Sequence, residues 1–374
     1  MNGVLITCDP EFEAAALEEL AAIPSVSRLP EKLETGDSVE GSIYLIQTEA
    51  DFDRIAEEIR GASPIFLRHI APVQRTLPLA GTREDLETFQ GVAMEMLWLF
   101  DPERSFSVQS RILGTGRLPY RRVELNESIS DRLTEDASLQ MDCKEPEQVF
   151  SILCTPDTAY LGVSLTEQNR SAWPGGKHRF RKEEEQISRA EFKLMEALAV
   201  FGLSLPTAGT ALDIGAAPGG WTRILAARGL KVDAVDPAEL DPRLYGNPLV
   251  RHHRKRIQEY SPGARSFDVI VNDMKMDARD SIDLMARFSD RLDAQGVGLM
   301  TLKLPRTAQT VSEGRRVLDM VRLDLEQLRR SFHVIGARQL YHNRSEVTVA
   351  VFDRMNVSET ALLFTVPDAR TVIR

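Results

Sequence analysis

The sequence predicts an α/β protein in which a mostly parallel, Rossmann-like sheet with an antiparallel edge hairpin follows an α+β amino-terminal region. Three observations carry that expectation. Beyond about residue 188, apolar runs of strand length alternate with amphipathic stretches of helical period, the order of a parallel sheet covered on both faces. Before residue 167 the strand and helix patterns are shorter and lack that regular alternation. Within the later region, Ala211-Leu-Asp-Ile-Gly-Ala-Ala-Pro-Gly-Gly-Trp221 reads as a buried strand that breaks into a glycine-rich turn and then a helix.

Taken in order, Gly3–Cys8 reads as a strand, and Asp9-Pro10 opens a helix whose Phe12, Ala15, Leu17 and Leu20 share one side. Ser42–Gln47 is strand-like, Asp51–Ile59 a short amphipathic helix and Ile65–Ile70 another apolar run. A helix near Leu86–Leu99 leads to an alternating strand, Ser105–Arg111, and to a polar, basic loop, Gly114–Arg122. Asn126–Leu133 suits a helix start, and Gln148–Cys154 with Thr158–Ser164 suits a hairpin around Pro156-Asp157. Residues 167–187, with Asn169, Arg170, Pro174, Gly175 and Gly176, have no apolar period. The expected domains are therefore 1–75, 76–166 and 188–374, with 167–187 a basic linker in which Trp173 and Phe180, set among basic side chains, suit stacking on unpaired bases.

In the last domain, strands are expected at 211–216, 231–236, about 249–254, 267–273, 296–304, 333–341 and 346–352, the last two as an antiparallel hairpin at the sheet edge. Ligands bind outside the carboxyl ends of such strands. Gly215, Gly219 and Gly220 permit a sharp turn, Trp221, Ile224, Leu225 and Leu230 follow with helical spacing, and the next strand ends in Asp236, placed to grip a ribose diol. Ala217-Pro218 stands where a pyrophosphate would need backbone N–H donors, which disfavours a dinucleotide. S-adenosylmethionine has no phosphate to cradle. Its expected contacts are Asp213, Gly215, Ala216, Pro218, Gly219, Gly220, Trp221, Asp236 and Asp273.

The chain has 374 residues and a net charge of −10, a field that repels phosphate overall, so nucleic acid would have to meet local basic clusters. Three exist, at Arg111–Arg122, Lys177–Lys182 and Arg251–Arg256. Cys8, Cys143 and Cys154 are too few and scattered for a disulfide framework, and neither they nor the six histidines show metal-ligand spacing, so no metal is expected. No apolar run has the length of a membrane span and the start lacks a basic-then-apolar leader, so the expected compartment is the cytoplasm.

Four polar residues occupy suggestive places: Lys193 on the helix before the glycine turn, Asp273 after the fourth strand, Lys303 near the end of the fifth, and Glu346 opening the last. Each has a plain structural alternative as a solvated lysine, a helix cap or a strand end. Lys303 stands out because Leu299-Met-Thr-Leu-Lys-Leu304 is otherwise a buried strand, and a buried amine needs partners. Together the four suit methylation of a ribose hydroxyl. That hydroxyl is a poor nucleophile at neutral pH, so a base must take its proton as the methyl group arrives in line. Lys303 would be the base, Lys193 would orient the hydroxyl, and Asp273 and Glu346 would position the amines.

The pattern resembles the FtsJ-like family of RNA 2′-O-ribose methyltransferases, whose Lys-Asp-Lys-Glu tetrad matches Lys193 in Ser188-Arg-Ala-Glu-Phe-Lys-Leu, Asp273 in Val271-Asn-Asp-Met, Lys303 in Leu302-Lys-Leu-Pro305 and Glu346 in Ser345-Glu-Val-Thr-Val. The amino-terminal strand, basic loop, helix and Ala159-Tyr-Leu-Gly hairpin resemble the THUMP module, an RNA-binding domain. The similarity runs from Val4-Leu-Ile-Thr-Cys-Asp-Pro-Glu-Phe-Glu13 to the block ending at Val349, and is greatest to the members that join a THUMP-containing region to the catalytic domain. The resemblance implies an S-adenosylmethionine-dependent enzyme acting on a nucleotide of 23S ribosomal RNA, free or in a precursor of the large subunit. Where the family has an acid after the third strand for the adenine amine, this chain has Arg254-Lys-Arg-Ile-Gln-Glu259, which leaves Glu259 or a backbone carbonyl for that contact. The competing reading is a non-catalytic RNA-binding or ribosome-assembly factor that retains the fold; a nicotinamide-dependent oxidoreductase ranks third.

Overall fold

The structure, a computed structural model, describes residues 3–28, 30–33, 41–114, 118–305 and 316–353. The chain forms two compact units, Met1–Lys177 and His178–Arg374. In the first, the elements are β1 (Gly3–Cys8), α1 (Glu13–Ala21), β2 (Glu31–Leu33), β3 (Ser42–Gln47), α2 (Phe52–Ala62), β4 (Leu67–Val73), β5 (Arg75–Pro78), α3 (Asp85–Glu95), β6 (Phe106–Ile112), α4 (Arg122–Ala137), β7 (Gln148–Cys154) and β8 (Thr158–Leu165). They build two four-stranded sheets, β2-β3-β1-β4 and β5-β8-β7-β6. The expected cap is present, with Asp9 Oδ1 accepting the Glu11 N–H at 2.9 Å. Helix α4 begins at Arg122, earlier than its apolar pattern, because the Glu124 carboxylate accepts the Arg121 N–H at 2.8 Å and stabilises a polar first turn. Phe89, Phe106, Ile129, Leu133, Phe150 and Leu161 are central to the core of the second sheet.

The stretch expected as a linker is packed in its first half. Arg170 donates to the Leu67 carbonyl at 3.2 Å and to the Pro64 carbonyl at 2.6 Å, and the buried Asn169 accepts the Ser164 hydroxyl at 2.9 Å. Gly175 and Gly176 are buried as well. Polar residues without apolar period therefore cover strand ends of the first unit by hydrogen bonding, which sequence periodicity does not register. Trp173 belongs to that unit and Phe180 to the other.

The second unit contains α5 (Ala190–Val200), β9 (Gly209–Ile214), α6 (Gly220–Ala227), β10 (Leu230–Val235), β11 (Val250–His253), β12 (Phe267–Asn272), α7 (Ala278–Ala286), β13 (Leu292–Lys303), α8 (Val317–Leu328), β14 (Phe332–Arg338) and β15 (Glu346–Asp353). Its seven-stranded sheet has the order β11-β10-β9-β12-β13-β15-β14. The pairs from β11 to β13 are parallel, whereas β15 is antiparallel to both of its neighbours. β14 and β15 form the antiparallel hairpin expected at the sheet edge, with β14 outermost and β15 between β13 and β14. The strand order reverses between β9 and β12, the switch point at which α/β sheets open a crevice at their carboxyl ends. Leu194, Leu198, Ala211, Leu225, Val232, Val269, Leu299 and Ala350 are part of the core that fixes this edge. Among the described residues, no helix is long and apolar enough to cross a membrane.

Candidate active site

The turn after β9 is shaped by the protein's own packing. Gly215 has φ +75°, and a Cβ there would run into Met274 Cγ. Gly219, at φ +109°, faces Leu244, and Gly220 faces the Ser188 hydroxyl. A side chain at 215 would therefore meet Met274 and a left-handed backbone. Trp221 is buried, and its indole N–H donates to the Ala190 carbonyl at 2.6 Å, tying α6 to α5. Ala216 is buried beside it. Asp213 is buried and accepts the Thr222 hydroxyl at 2.6 Å. Burial, with help from the charges of Asp273 and Asp236, pushes the Asp213 carboxyl up to about 7 despite that hydrogen bond.

Asp236 closes the turn, accepting the Ala217 N–H at 3.2 Å on one oxygen and the Ala238 N–H at 2.8 Å on the other. The turn fits a nucleoside without phosphates. The Ala217 N–H is engaged, Pro218 has none, and Asp236, only partly covered, keeps lone pairs for a ribose diol. Glu259 is exposed in a short 3₁₀ turn. The buried acid of this region is Asp233, which the sequence reading missed; it accepts from Tyr260 Oη at 2.6 Å and lies 2.9 Å from His253 Nε2 and 2.7 Å from Arg265 Nη1. Arg254 pairs with Glu239, so the Arg251–Arg256 run is drawn partly into internal ion pairs. Residues 115–117 of the Arg111–Arg122 run lie outside the described residues.

The four residues of the expected tetrad converge. Antiparallel pairing sets Lys303 directly opposite Glu346, and Asp273 follows the end of β12 beside them. Lys303 Nζ donates to Asp273 Oδ1 at 2.7 Å, to Thr301 Oγ1 at 2.8 Å and to Glu346 Oε2. Lys193 Nζ reaches Asp273 at 3.2 Å and 3.3 Å and forms an ion pair with Glu346 Oε1 at 2.5 Å. Side-chain exposures of 17% for Lys193, 16% for Asp273, 20% for Lys303 and 6% for Glu346 leave the amines accessible and Glu346 behind them. Burial alone would depress the Lys193 ammonium, but Asp273 and Glu346 outweigh it and hold its pKa above the usual value. For Asp273 burial is likewise outweighed, by Lys303 and then Lys193, and its carboxyl stays below the ordinary range.

Sequence reasoning missed Thr301, whose hydroxyl donates to Asp273 Oδ1 at 2.6 Å while accepting from Lys303. Its signal was available, since residues two apart on a strand share a face. Also missed was the support behind Glu346: Asn343 Nδ2 donates to the Glu346 carbonyl at 3.2 Å and to Thr348 Oγ1 at 3.0 Å. Lys193 stands on α5, whose entry is tied down by Glu191 Oε1, which accepts the Ile187 and Ser188 N–H groups at 2.6 Å and 3.3 Å.

Residues 186–353 match the family model described as FtsJ-like methyltransferase. A protein of Laribacter hongkongensis named "Ribosomal RNA large subunit methyltransferase M" is 28% identical over 359 residues, covering 92% of this chain and 95% of the relative. The protein of that name from Aeromonas salmonicida is 27% identical over 379 residues, covering 96% and 99%. That from Halorhodospira halophila is 37% identical over 208 residues, covering 55% and 58%. Over residues 186–353 the chain is thus an FtsJ-like methyltransferase domain, of a family whose methyl donor is S-adenosylmethionine.

Proposed function

We propose that the protein transfers a methyl group to a ribose 2′-hydroxyl of large-subunit (23S) ribosomal RNA, in the cytoplasm. The observation that carries the reading is the convergence of Lys193, Asp273, Lys303 and Glu346 at the carboxyl end of the sheet, beside the glycine turn. The backbone of Gly215, Ala216, Pro218, Gly219 and Gly220, backed by Trp221, with Asp213, Asp236 and Asp273 as acids, would hold S-adenosylmethionine, which when bound would supply the electrophilic methyl group. Lys303, once it has released its proton, takes the proton of the ribose hydroxyl. Lys193, whose ammonium is stabilised by Asp273 and Glu346, orients that hydroxyl by donating to it. Asp273 holds both amines in place, and Thr301 fixes the Asp273 oxygen that Lys303 uses.

The first unit, with a small domain over 1–75 and a THUMP-like domain over 76–166, is assigned to RNA capture, and 188–374 to transfer. A non-catalytic assembly factor is the weaker reading, because two amines and two carboxylates gathered in a partly exposed site suit proton transfer better than mere stability; buried ion pairs add little to stability. Mapping ribose methylation across ribosomal RNA from cells with and without the gene tests the proposal. A single lost 2′-O-methyl site in the large-subunit RNA supports it, and an unchanged map overturns it.

A further inference from the structure

Beside the tetrad lies a cluster of aromatic rings that the transfer chemistry does not use. Phe180 and Phe192 are stacked, with centroids 5.9 Å apart and planes at 21°. His342 closes on both, at 5.6 Å from Phe180 and 5.2 Å from Phe192, and Tyr341 meets His342 edge-on at 5.1 Å. Each of these four residues is partly exposed, whereas His178, whose ring centroid lies 5.9 Å from that of Phe180, is buried.

The cluster hangs on the two segments that also carry the tetrad. Phe192 immediately precedes Lys193 on α5, and Tyr341 and His342 lie in the connection that leads into Glu346. It is also held rigid. The buried Glu196 accepts the Tyr341 N–H at 2.7 Å and the His342 N–H at 2.8 Å, and lies 2.7 Å from His342 Nδ1, so one carboxylate fixes the loop and the plane of its ring. Around Phe180 the chain places Arg179, Arg181 and Lys182, all exposed. Partly exposed rings interleaved with cations are what a single strand of nucleic acid meets: the cations follow phosphates and the rings receive bases, whatever their identity.

We propose that Phe180, Phe192, Tyr341 and His342 form the seat of an unpaired RNA base, which holds the strand so that the neighbouring ribose presents its hydroxyl to Lys303 and Lys193. The proposal rests on the ribose-methylation reading, and its test separates the two. Single-stranded RNA carrying 5-iodouridine, bound to the full-length protein and irradiated, should cross-link to these rings, with the adducts located by peptide mass mapping. Adducts found only elsewhere in the chain overturn the seat. In steady-state methyl transfer to ribosomal RNA, Phe180→Leu, Phe192→Leu and Tyr341→Leu should each raise KM for RNA by roughly ten-fold, the size expected for loss of one stacking contact, with kcat little changed. Phe192→Tyr should restore the wild-type KM. S-adenosylhomocysteine affinity and melting temperature should stay at wild-type values in all of them. An unchanged KM in the leucine variants, or a raised KM accompanied by lost S-adenosylhomocysteine affinity and lower melting temperature, shows that the rings only pack the loop and overturns the proposal. Ring cross-linking by a wild-type protein that transfers no methyl group to any ribosomal RNA keeps the seat and overturns the ribose-methylation reading instead.

Discussion

Lys303 is surrounded by acceptors, Asp273, Thr301 and Glu346, and in the proposed reaction it would have to give up a proton before taking one from a ribose. The exchange is the step most exposed to mutation. Lys303→Ala should lower the single-turnover rate by roughly 10²–10⁴ while leaving S-adenosylhomocysteine and RNA affinities near wild type. Lys303→Arg should not rescue transfer, because a guanidinium keeps its proton at any workable pH. A near-normal rate in Lys303→Ala at saturating substrates would make the lysine structural. Glu346 touches both amines, so Glu346→Ala should disturb both. At the turn, Gly215→Val should cost about 1–3 kcal/mol of stability even without ligand, since it places a β-branched residue at φ +75° against Met274. Denaturant unfolding of the ligand-free protein measures this. Combining it with Met274→Ala should relieve only the collision, and full recovery in the double variant would show that the backbone angle carries no strain.

At the level of elements, β9 and α6 are joined by the buried pair of Asp213 and Thr222, and that pair makes the turn sensitive to pH. The folded state holds the Asp213 proton up to about 7, against 3.8 for the free group. A raised carboxyl pKa contributes stability that is complete below the unfolded value and is lost as pH climbs through the folded one. This component of stability should therefore fall between about pH 4 and 7, by roughly 1.4 kcal/mol for each pH unit crossed. Asp213→Asn, neutral throughout, should lack that component, and thermal melting of both proteins across the window checks it; identical pH slopes would show that Asp213 ionises freely. Much of this architecture is legible in the sequence because strand–turn–helix changes of period are local. The tetrad is legible because its members sit at strand and helix ends, where lysines and acids are out of place in apolar runs. The position of β15 is not. Proximity in sequence says that β14 and β15 pair, but which of them takes the edge is decided by the pairing with β13 over Val297–Lys303. Nor is Glu196, whose partners are backbone N–H groups some 145 residues away.

For the molecule as a whole, a net charge of −10 leaves RNA capture to local cation clusters, so affinity for RNA should fall steeply with salt. A chain beginning at His178 should bind S-adenosylhomocysteine as the whole protein does and lose most of the RNA affinity, as read by filter binding and calorimetry. Equal RNA affinity in the shortened chain would move RNA capture out of the first unit.

The slot occupied by β15 has a consequence for how activity is acquired. β13 and β14 meet no common neighbour until β15 enters between them, and the same entry brings Glu346 to Lys303. Completion of the sheet and assembly of the four-residue cluster are therefore one event, dependent on contacts distant in sequence. A nascent or truncated chain that stops short of residue 346 has two open strand edges as well as an incomplete tetrad, and open edges invite aggregation. Such a chain should be cleared as misfolded rather than persist as a soluble, inactive competitor for RNA.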